Sequence, residues 1–214
     1  MKKSIQIIAT ALAILFGNIG LSQLDSVYIV RGDSVLSVYA TTEVDSITFY
    51  NPSKTVLSIG DSAHGGIVAY ILESSDSGYD ANVQHGLIAT PTDQGQAEWG
   101  CYGIEINGAD GTTVGTGKQN NIDIESGCTT SGTAADICAN LMYGGYSNWF
   151  LPSKDELKKL YLNKDSIGGF TNNLYWSSTD DGHFNAWAHN FNDNSQSKAF
   201  KFFNYYYIRA VRAF

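Results

Sequence analysis

Between Leu174 and Ile208 the chain contains no Leu, Ile, Val or Met, yet those 33 positions hold 11 aromatic residues. Aliphatic side chains supply most fully buried positions, so a segment without them cannot build a core of its own. It can lay alternate rings of a sheet against the rest of the domain, or it can present rings to solvent. Tyr175, Trp176, Phe184, Trp187, Phe191, Phe200, Phe202, Phe203, Tyr205, Tyr206 and Tyr207 are interleaved with Asn, Asp, Ser, Gly and His. That mixture is the composition of a binding face. Tyr and Trp give large contact area at little entropic cost, and Asn, Ser and Gly give adaptable hydrogen bonds. The C-terminal part is therefore predicted to be a binding surface.

The other end reads as a secretory signal over residues 1–23. Lys2 and Lys3 are the positive start, Ile5 to Phe16 is apolar apart from Gln6 and Thr10, and Gly20 and Ser22 suit a cut before Gln23. The run is short for a membrane span and no basic cluster follows it, so no span is expected after cleavage. The expectation is an exported bacterial protein, secreted or held at the cell surface. Removing the two lysines takes the formal charge from −8 to −10, which argues against nucleic acid as a partner. Three cysteines, Cys101, Cys128 and Cys138, imply one disulfide and one buried thiol in an oxidising compartment. Connectivity is not fixed by sequence; the nearest pair, Cys128–Cys138, is the expected bridge.

Residues 24–55 read as a small β-rich segment and linker. Val27, Ile29, Val35, Leu36, Val38 and Tyr39 flank the turn-like Arg31-Gly32-Asp33-Ser34, and Val44 to Tyr50 alternates as a strand. The main domain, 56–214, is predicted to be α+β with short, mostly antiparallel strands and two helices. Ile67 to Leu72 and Gln84 to Ala89 read as paired strands. A helix is expected over 133–143, with Ala134, Ile137, Cys138 and Leu141 on one face and Gly144-Gly145 as its stop. A weaker helical pattern covers Gln119 to Ser126. The clearest local signal is Ser153 followed by Glu156, a capping box opening a helix to about Leu162. Trp149 and Trp176, in strings of apolar or small neighbours, are expected in the core.

Several strings together carry a family resemblance: "GGIVAYIL", "HGLIATPTDQ", "WGCYG", "GADGTTVGTGKQN", "GCTTSGTAADICANL", "GGYSNWFLPSKDEL", "YWSST" and "IRAVRAF". Over residues 59–214 the chain resembles the DUF1566 family, related to the C-terminal domain of the Legionella collagen-like adhesin. The resemblance implies a C-type-lectin-like fold of the formylglycine-generating-enzyme kind, exported and used for binding. It implies no particular ligand, since function resides in sites grafted on folds. Family members include variable proteins of diversity-generating retroelements, in which adenines of AAC codons are randomised near the C-terminus. Ala186-Trp187 and Ile208 to Phe214 match the fixed frame of those proteins. From Asp180 to Tyr206 only Trp187, Gln196, Lys198 and Lys201 are residue types that AAC codons cannot reach by such changes.

Enzyme chemistry finds little support in the sequence, and no cofactor is expected. Oxidases of this fold class need a cysteine pair in the C-terminal part, and nothing after Cys138 is a cysteine. His64, His85, His183 and His189 are scattered; His183 and His189 could meet across a hairpin but would need a third ligand. Asn190, Asn192, Asp193 and Asn194 could offer oxygens to calcium, though a polar turn is the commoner meaning of such a string. Arg209 and Arg212 fall on opposite faces of a strand, with Asp155 or Glu156 as expected partners. The expected ligand-binding residues are Asp180, Asp181, His183, Phe184, Asn185, His189, Asn192, Asn194, Phe200, Phe202, Asn204 and Tyr206, with a protein or glycan as ligand.

Overall fold

The computed structural model describes the backbone of residues 3–8, 26–31, 34–40 and 44–50, and all atoms of 56–203 and 205–214. Two compact units emerge, 1–56 and 57–214. In the first, β2 (Ser26–Arg31) and β3 (Ser34–Ala40) form an antiparallel hairpin, and β1 (Lys3–Ile8) pairs in parallel with β4 (Val44–Tyr50). The expected cleavage region of the leader lies outside the described residues.

The second unit runs β5 (Ser62–Ala63), β6 (Gly66–Ile71), β7 (Gly86–Ala89), β8 (Gln96–Ala97), α1 (Gly117–Gly127), α2 (Ala134–Ala139), α3 (Lys154–Leu162), α4 (Lys164–Ile167), β9 (Leu174–Asp181), β10 (Asn185–Asn190), β11 (Gln196–Phe200), β12 (Tyr206–Tyr207) and β13 (Val211–Ala213). The fold is α+β. One sheet has the order β13-β7-β6-β5 and the other β11-β10-β9-β12-β8, with β12–β9 the parallel pair of this unit. Four helices replace the expected two. The weak pattern around Ile122 and Ile124 is a full helix, α1, and α4 follows α3 after Asn163. The helix expected to reach residue 143 ends at Ala139. Asn140 stops it, its side-chain amide donating to the Asp136 carbonyl and carboxylate at 3.0 and 2.8 Å.

The core forms where the two sheets meet the helices. Trp99, Trp149 and Trp176 are all buried with Val68, Ile88, Ile124 and Leu151. The indoles of Trp99 and Trp176 donate to the carbonyls of Ser177 and Ala97 at 2.8 and 2.9 Å, so the two rings tie β9 to β8 and the segment that follows it. Below α3, Leu157 and Leu160 pack with Tyr175 and Phe191. The capping box is complete, and the buried Glu156 does more than cap: its carboxylate accepts from Ser153 N and, at 2.8 Å, from Gly115 N. Burial pushes that carboxyl above the ordinary glutamate range, against the pull of its backbone donors.

The disulfide joins Cys101 to Cys128, not Cys128 to Cys138. Cys138 sits on the inner face of α2, fully buried among core side chains, and burial pushes its thiol well up. Cys128 caps the end of α1 and reaches the loop that enters through Gly100. Gly100 has φ +100°, and a Cβ there would lie 2.4 Å from the Thr133 side chain, so only glycine lets Cys101 approach. Proximity in sequence misleads because helix α2 faces Cys138 inwards. Both arginines also have partners other than those expected. Arg209 pairs with Asp93 at 2.8 Å and donates to the carbonyls of Thr90 and Gly168. Arg212 donates to Asn148 Oδ1 and the His64 carbonyl and covers the Tyr146 ring.

Candidate ligand-binding face

Strands β10 and β11 form a regular hairpin, Asn185 opposite Phe200 and His189 opposite Gln196. At its open end the chain leaves β11 through Lys201, Phe202 and Phe203. There it meets the loop 100–106 that the disulfide tethers. Backbone bonds knit the two together: Gly100 N donates to Lys201 O, Lys201 N to Phe184 O, and Gly103 N to His183 O at 2.7 Å.

Beneath this junction lies a buried ion pair. The Lys201 ammonium, wholly buried, is 2.8 Å from Asp180 Oδ1, donates to the Ile104 carbonyl at 2.7 Å and lies over the Trp99 ring. Asp180 Oδ2 accepts from Ile106 N at 2.7 Å. Oδ1 has that ion-pair contact without an aligned hydrogen bond. Burial holds the Lys201 ammonium below the ordinary lysine range, and the Asp180 charge opposes the shift. One lysine thus ties β9, β11 and the 100–106 loop into one base.

Above the base is a cluster of exposed rings. Tyr102 lies 5.2 Å from Phe184, 6.4 Å from Phe200 and 6.2 Å from Phe202, and Phe202 lies 4.0 Å from Phe203. Exposure across Tyr102, Phe184, Phe200, Phe202 and Phe203 runs from 40% at Phe202 to 79% at Phe203, values unusual for large apolar side chains gathered in one place. Ile104 and Tyr205 are exposed as well. Cys101 and Phe203 hold φ of 48° and 68°, the left-handed region that costs a non-glycine residue about 1 kcal/mol. Such outliers gather where surrounding structure over-determines the backbone.

The expected site residues do not all come to one place. Phe184, Phe200 and Phe202 come together, with the exposed His183 beside Phe184 and 3.7 Å from Glu105. Asp180 and His189 are buried and cannot meet a ligand directly, a correction to the surface expected for them. His189 is held between Asn194 Oδ1 at 3.0 Å and Gln196 Nε2 at 3.2 Å and stacks on Tyr161. The amide oxygen must accept and the amide nitrogen must donate, so the ring is neutral with its proton on Nε2, and burial lowers its pKa. His183 and His189 therefore do not meet. Asn192 and Asn194 occupy the closed end of the hairpin, about 16 Å of strand from the cluster. Their neighbours Asn190 and Asp193 spend side-chain oxygens on Asn192 N and on the Ser195 amide and hydroxyl.

Asp181 is half-buried and pairs with Lys198 at 2.9 Å. Asn185 is half-buried at the open end of β10. Tyr206 turns inwards, its ring 4.6 Å from Trp176, because β12 pairs with β8 and β9. Asn204 lies outside the described residues. Sequence reasoning missed Tyr102 at the centre of the cluster; its signal was an aromatic next to a cysteine and two glycines in "WGCYG". Among the described residues no three His, Cys, Asp or Glu side chains converge to hold a metal. None of their helices is long and apolar enough to cross a membrane.

Fold and face together define an α+β domain that displays rings on a covalently braced loop-and-hairpin junction. The chain belongs to the Lcl C-terminal domain family, whose sequence model matches residues 94–212. It is similar in structure to a fimbrial protein from Bacteroides ovatus, with a TM-score of 0.50 and 14% identity over 87% of this chain. At that identity the likeness is one of fold, and the match covers 56% of the fimbrial protein's length. No curated protein matches the chain.

Proposed function

We propose that this is an exported, surface-displayed binding protein of adhesin-like character, with a C-type-lectin-like domain whose aromatic face captures a protein or glycan. One observation carries the reading: five exposed rings are gathered on a base fixed by a disulfide and a buried ion pair. A solvent-facing cluster of that kind is poor surface unless something covers it, and a few aromatic anchors usually supply most of an interface's affinity. The family and the fimbrial fold neighbour are in keeping with a role at the cell surface. A binding role is preferred to catalysis because both nitrogens of His189 are engaged within the fold and His183 lies on the surface.

The retroelement reading belongs to the same proposal. The four residues in this stretch that AAC codons cannot reach all make supporting contacts: Lys201 is buried, Lys198 pairs with Asp181, Gln196 donates to the Lys154 carbonyl, and Trp187 lies 3.5 Å under the Lys154 ammonium. Phe184, Phe200, Phe202 and Phe203 are reachable and exposed. Diversification would thus be confined to the rim, since Asp180, Ala186, Ala188 and Phe191 in the same stretch are buried. A neighbouring reverse transcriptase with a matching template repeat is the expected genomic finding.

The functional test is to screen the full chain and its Phe184→Ala, Phe200→Ala, Phe202→Ala variant on protein and glycan arrays. Ligands are expected to be captured by the parent and lost by the variant at unchanged melting temperature. Capture that the variant retains in full would place binding elsewhere. Stoichiometric transition metal in the purified protein, with turnover, would favour an enzyme instead.

A further inference from the structure

Charge is unevenly placed along this chain. Residues 57–214 carry 17 Asp and Glu against nine Lys and Arg, and from residue 55 to residue 153 the one Lys or Arg is Lys118. Loop 100–106, with Tyr102 at the centre of the ring cluster, lies wholly within that stretch. The hairpin adds Lys198 and Lys201, and each is paired with an aspartate, Asp181 at 2.9 Å and Asp180 at 2.8 Å. Two carboxylates stand at the cluster without such a partner. Glu98 accepts from Phe203 N at 3.4 Å, and the exposed Glu105 is 3.7 Å from His183, beside Phe184. Among the described residues no Lys or Arg forms an ion pair with either.

The rings give a second, independent observation. The face of an aromatic ring is the negative part of its quadrupole and attracts a cation within about 6 Å. This fold uses that attraction repeatedly. Lys159 lies over Tyr70, Lys201 over Trp99, Arg209 over Phe170 and Arg212 over Tyr146. Lys154 and Lys198 share Trp187, and Lys164 covers Tyr161. Seven of the nine Lys and Arg in residues 57–214 are thus placed over a ring. Among the described residues none lies over Tyr102, Phe184, Phe202 or Phe203, which are the exposed rings of the cluster. Ring faces and carboxylates at this place both lack the cation that the fold supplies elsewhere.

We propose that the ring cluster receives a basic segment of another polypeptide, its Lys or Arg side chains laid over the ring faces and reaching Glu98 and Glu105. This deepens, and rests on, the reading of the cluster as a binding face, and charge complementarity selects the occupant. Ring faces and carboxylates present the same negative sign, so nucleic acid, an acidic glycan or an anionic lipid surface is repelled. An uncharged glycan would leave both without a cation. Lysine and arginine carry charge at neutral pH, and their methylene stems cover apolar ring surface at the same time. A second copy of this chain fits poorly, because it brings its own excess of acid and seven of its nine cations are already over rings.

The test uses the full chain and three displayed pools of linear peptides alike except in charge: one bearing Lys and Arg, one uncharged, one bearing Asp and Glu. The basic pool is expected to be captured at about 50 mM salt and largely released at about 500 mM. Phe184→Ala with Phe202→Ala keeps the net charge, so diffuse attraction would survive it; capture at the rings is expected to weaken about tenfold or more. Glu98→Gln with Glu105→Gln, which keeps an acceptor for Phe203 N, is expected to weaken capture about tenfold at low salt and to flatten its salt dependence. Glu73→Gln with Asp165→Asn removes the same charge on the α3 and α4 side and is expected to leave capture unchanged. Melting is followed throughout, and if the phenylalanine variant unfolds, the two charge variants decide. Basic capture that the phenylalanine variant retains in full would be diffuse attraction and would overturn the proposal. Capture of the uncharged or acidic pool that needs the phenylalanines but ignores the glutamines would overturn the cation and leave the binding face intact. Capture of no pool would overturn a polypeptide partner, and the glycan arrays would then decide the binding face alone.

Discussion

Phe191 and Phe200 leave opposite ends of one β-hairpin and meet opposite fates. Phe191 is fully buried, 4.4 Å from Tyr175 and 4.7 Å from Phe170, with Tyr161 set edge-on at 5.4 Å. Leu157, Leu160 and Ile167 from α3 and α4 complete that wall, and the Tyr175 hydroxyl donates to Asp93 at 2.8 Å. Phe200 is 56% exposed and meets Tyr102 with no helix above it. Residue type and local composition are alike at the two ends. What differs is the supply of aliphatic side chains from elsewhere in the chain, which closes over one group of rings and stops short of the other.

The buried group should be costly to disturb. Phe191→Ala is expected to lose about 3–5 kcal/mol of stability, the usual range for deleting a buried ring, measured by denaturant unfolding. Lys201→Met should cost a similar amount, about 3–5 kcal/mol, because it strands the Asp180 carboxylate in the interior. A loss below about 1 kcal/mol there would mean that Asp180 reaches water and the base is not sealed. Opening the disulfide, by Cys101→Ser with Cys128→Ser, is expected to cost about 3 kcal/mol through the freed loop between them. Thermal melting with and without reductant checks this.

A smaller effect separates the two ends of the hairpin by pH. Burial depresses the pKa of His189 below its unfolded value of 6.5. The unfolded chain therefore takes up a proton that the folded one resists. The contribution of His189 is complete above about pH 6.5 and is lost as pH falls through the unfolded pKa towards the folded one. His189→Gln should flatten the fall in unfolding free energy below pH 6.5. An unchanged slope would show that other groups set it.

Much of the scaffold was legible in the sequence because its signals are local. Ser153 and Glu156 form a capping box within four residues, Trp149 and Trp176 sit among core-type neighbours, and the strands around Ile67 and Leu87 are continuous apolar runs, buried along most of their length. The family strings carried the domain assignment. The site was legible only in part, for reasons of long-range packing. Absence of aliphatics over 175–207 marked the region but could not show that α3 and α4 would bury Tyr175 and Phe191. Asp180 was expected on the face, since nothing local reveals that it pairs with Lys201 beneath a loop drawn in by Cys101. Tyr102 was overlooked because its partners lie far along the chain. Tyr206 was placed on the face although its strand pairing turns it onto Trp176.

The central claim is that the rings around Tyr102 are surface held for a partner, not an incomplete core. Thermal unfolding of the Phe184→Ser, Phe200→Ser, Phe202→Ser chain beside Phe191→Ala tests it most directly. Surface substitutions usually change stability by no more than about 0.5 kcal/mol each, so the triple variant should melt within about 6 °C of the parent while Phe191→Ala falls well below it. A triple variant that melts as low as Phe191→Ala would show that these rings support the fold, and the binding face would be contradicted.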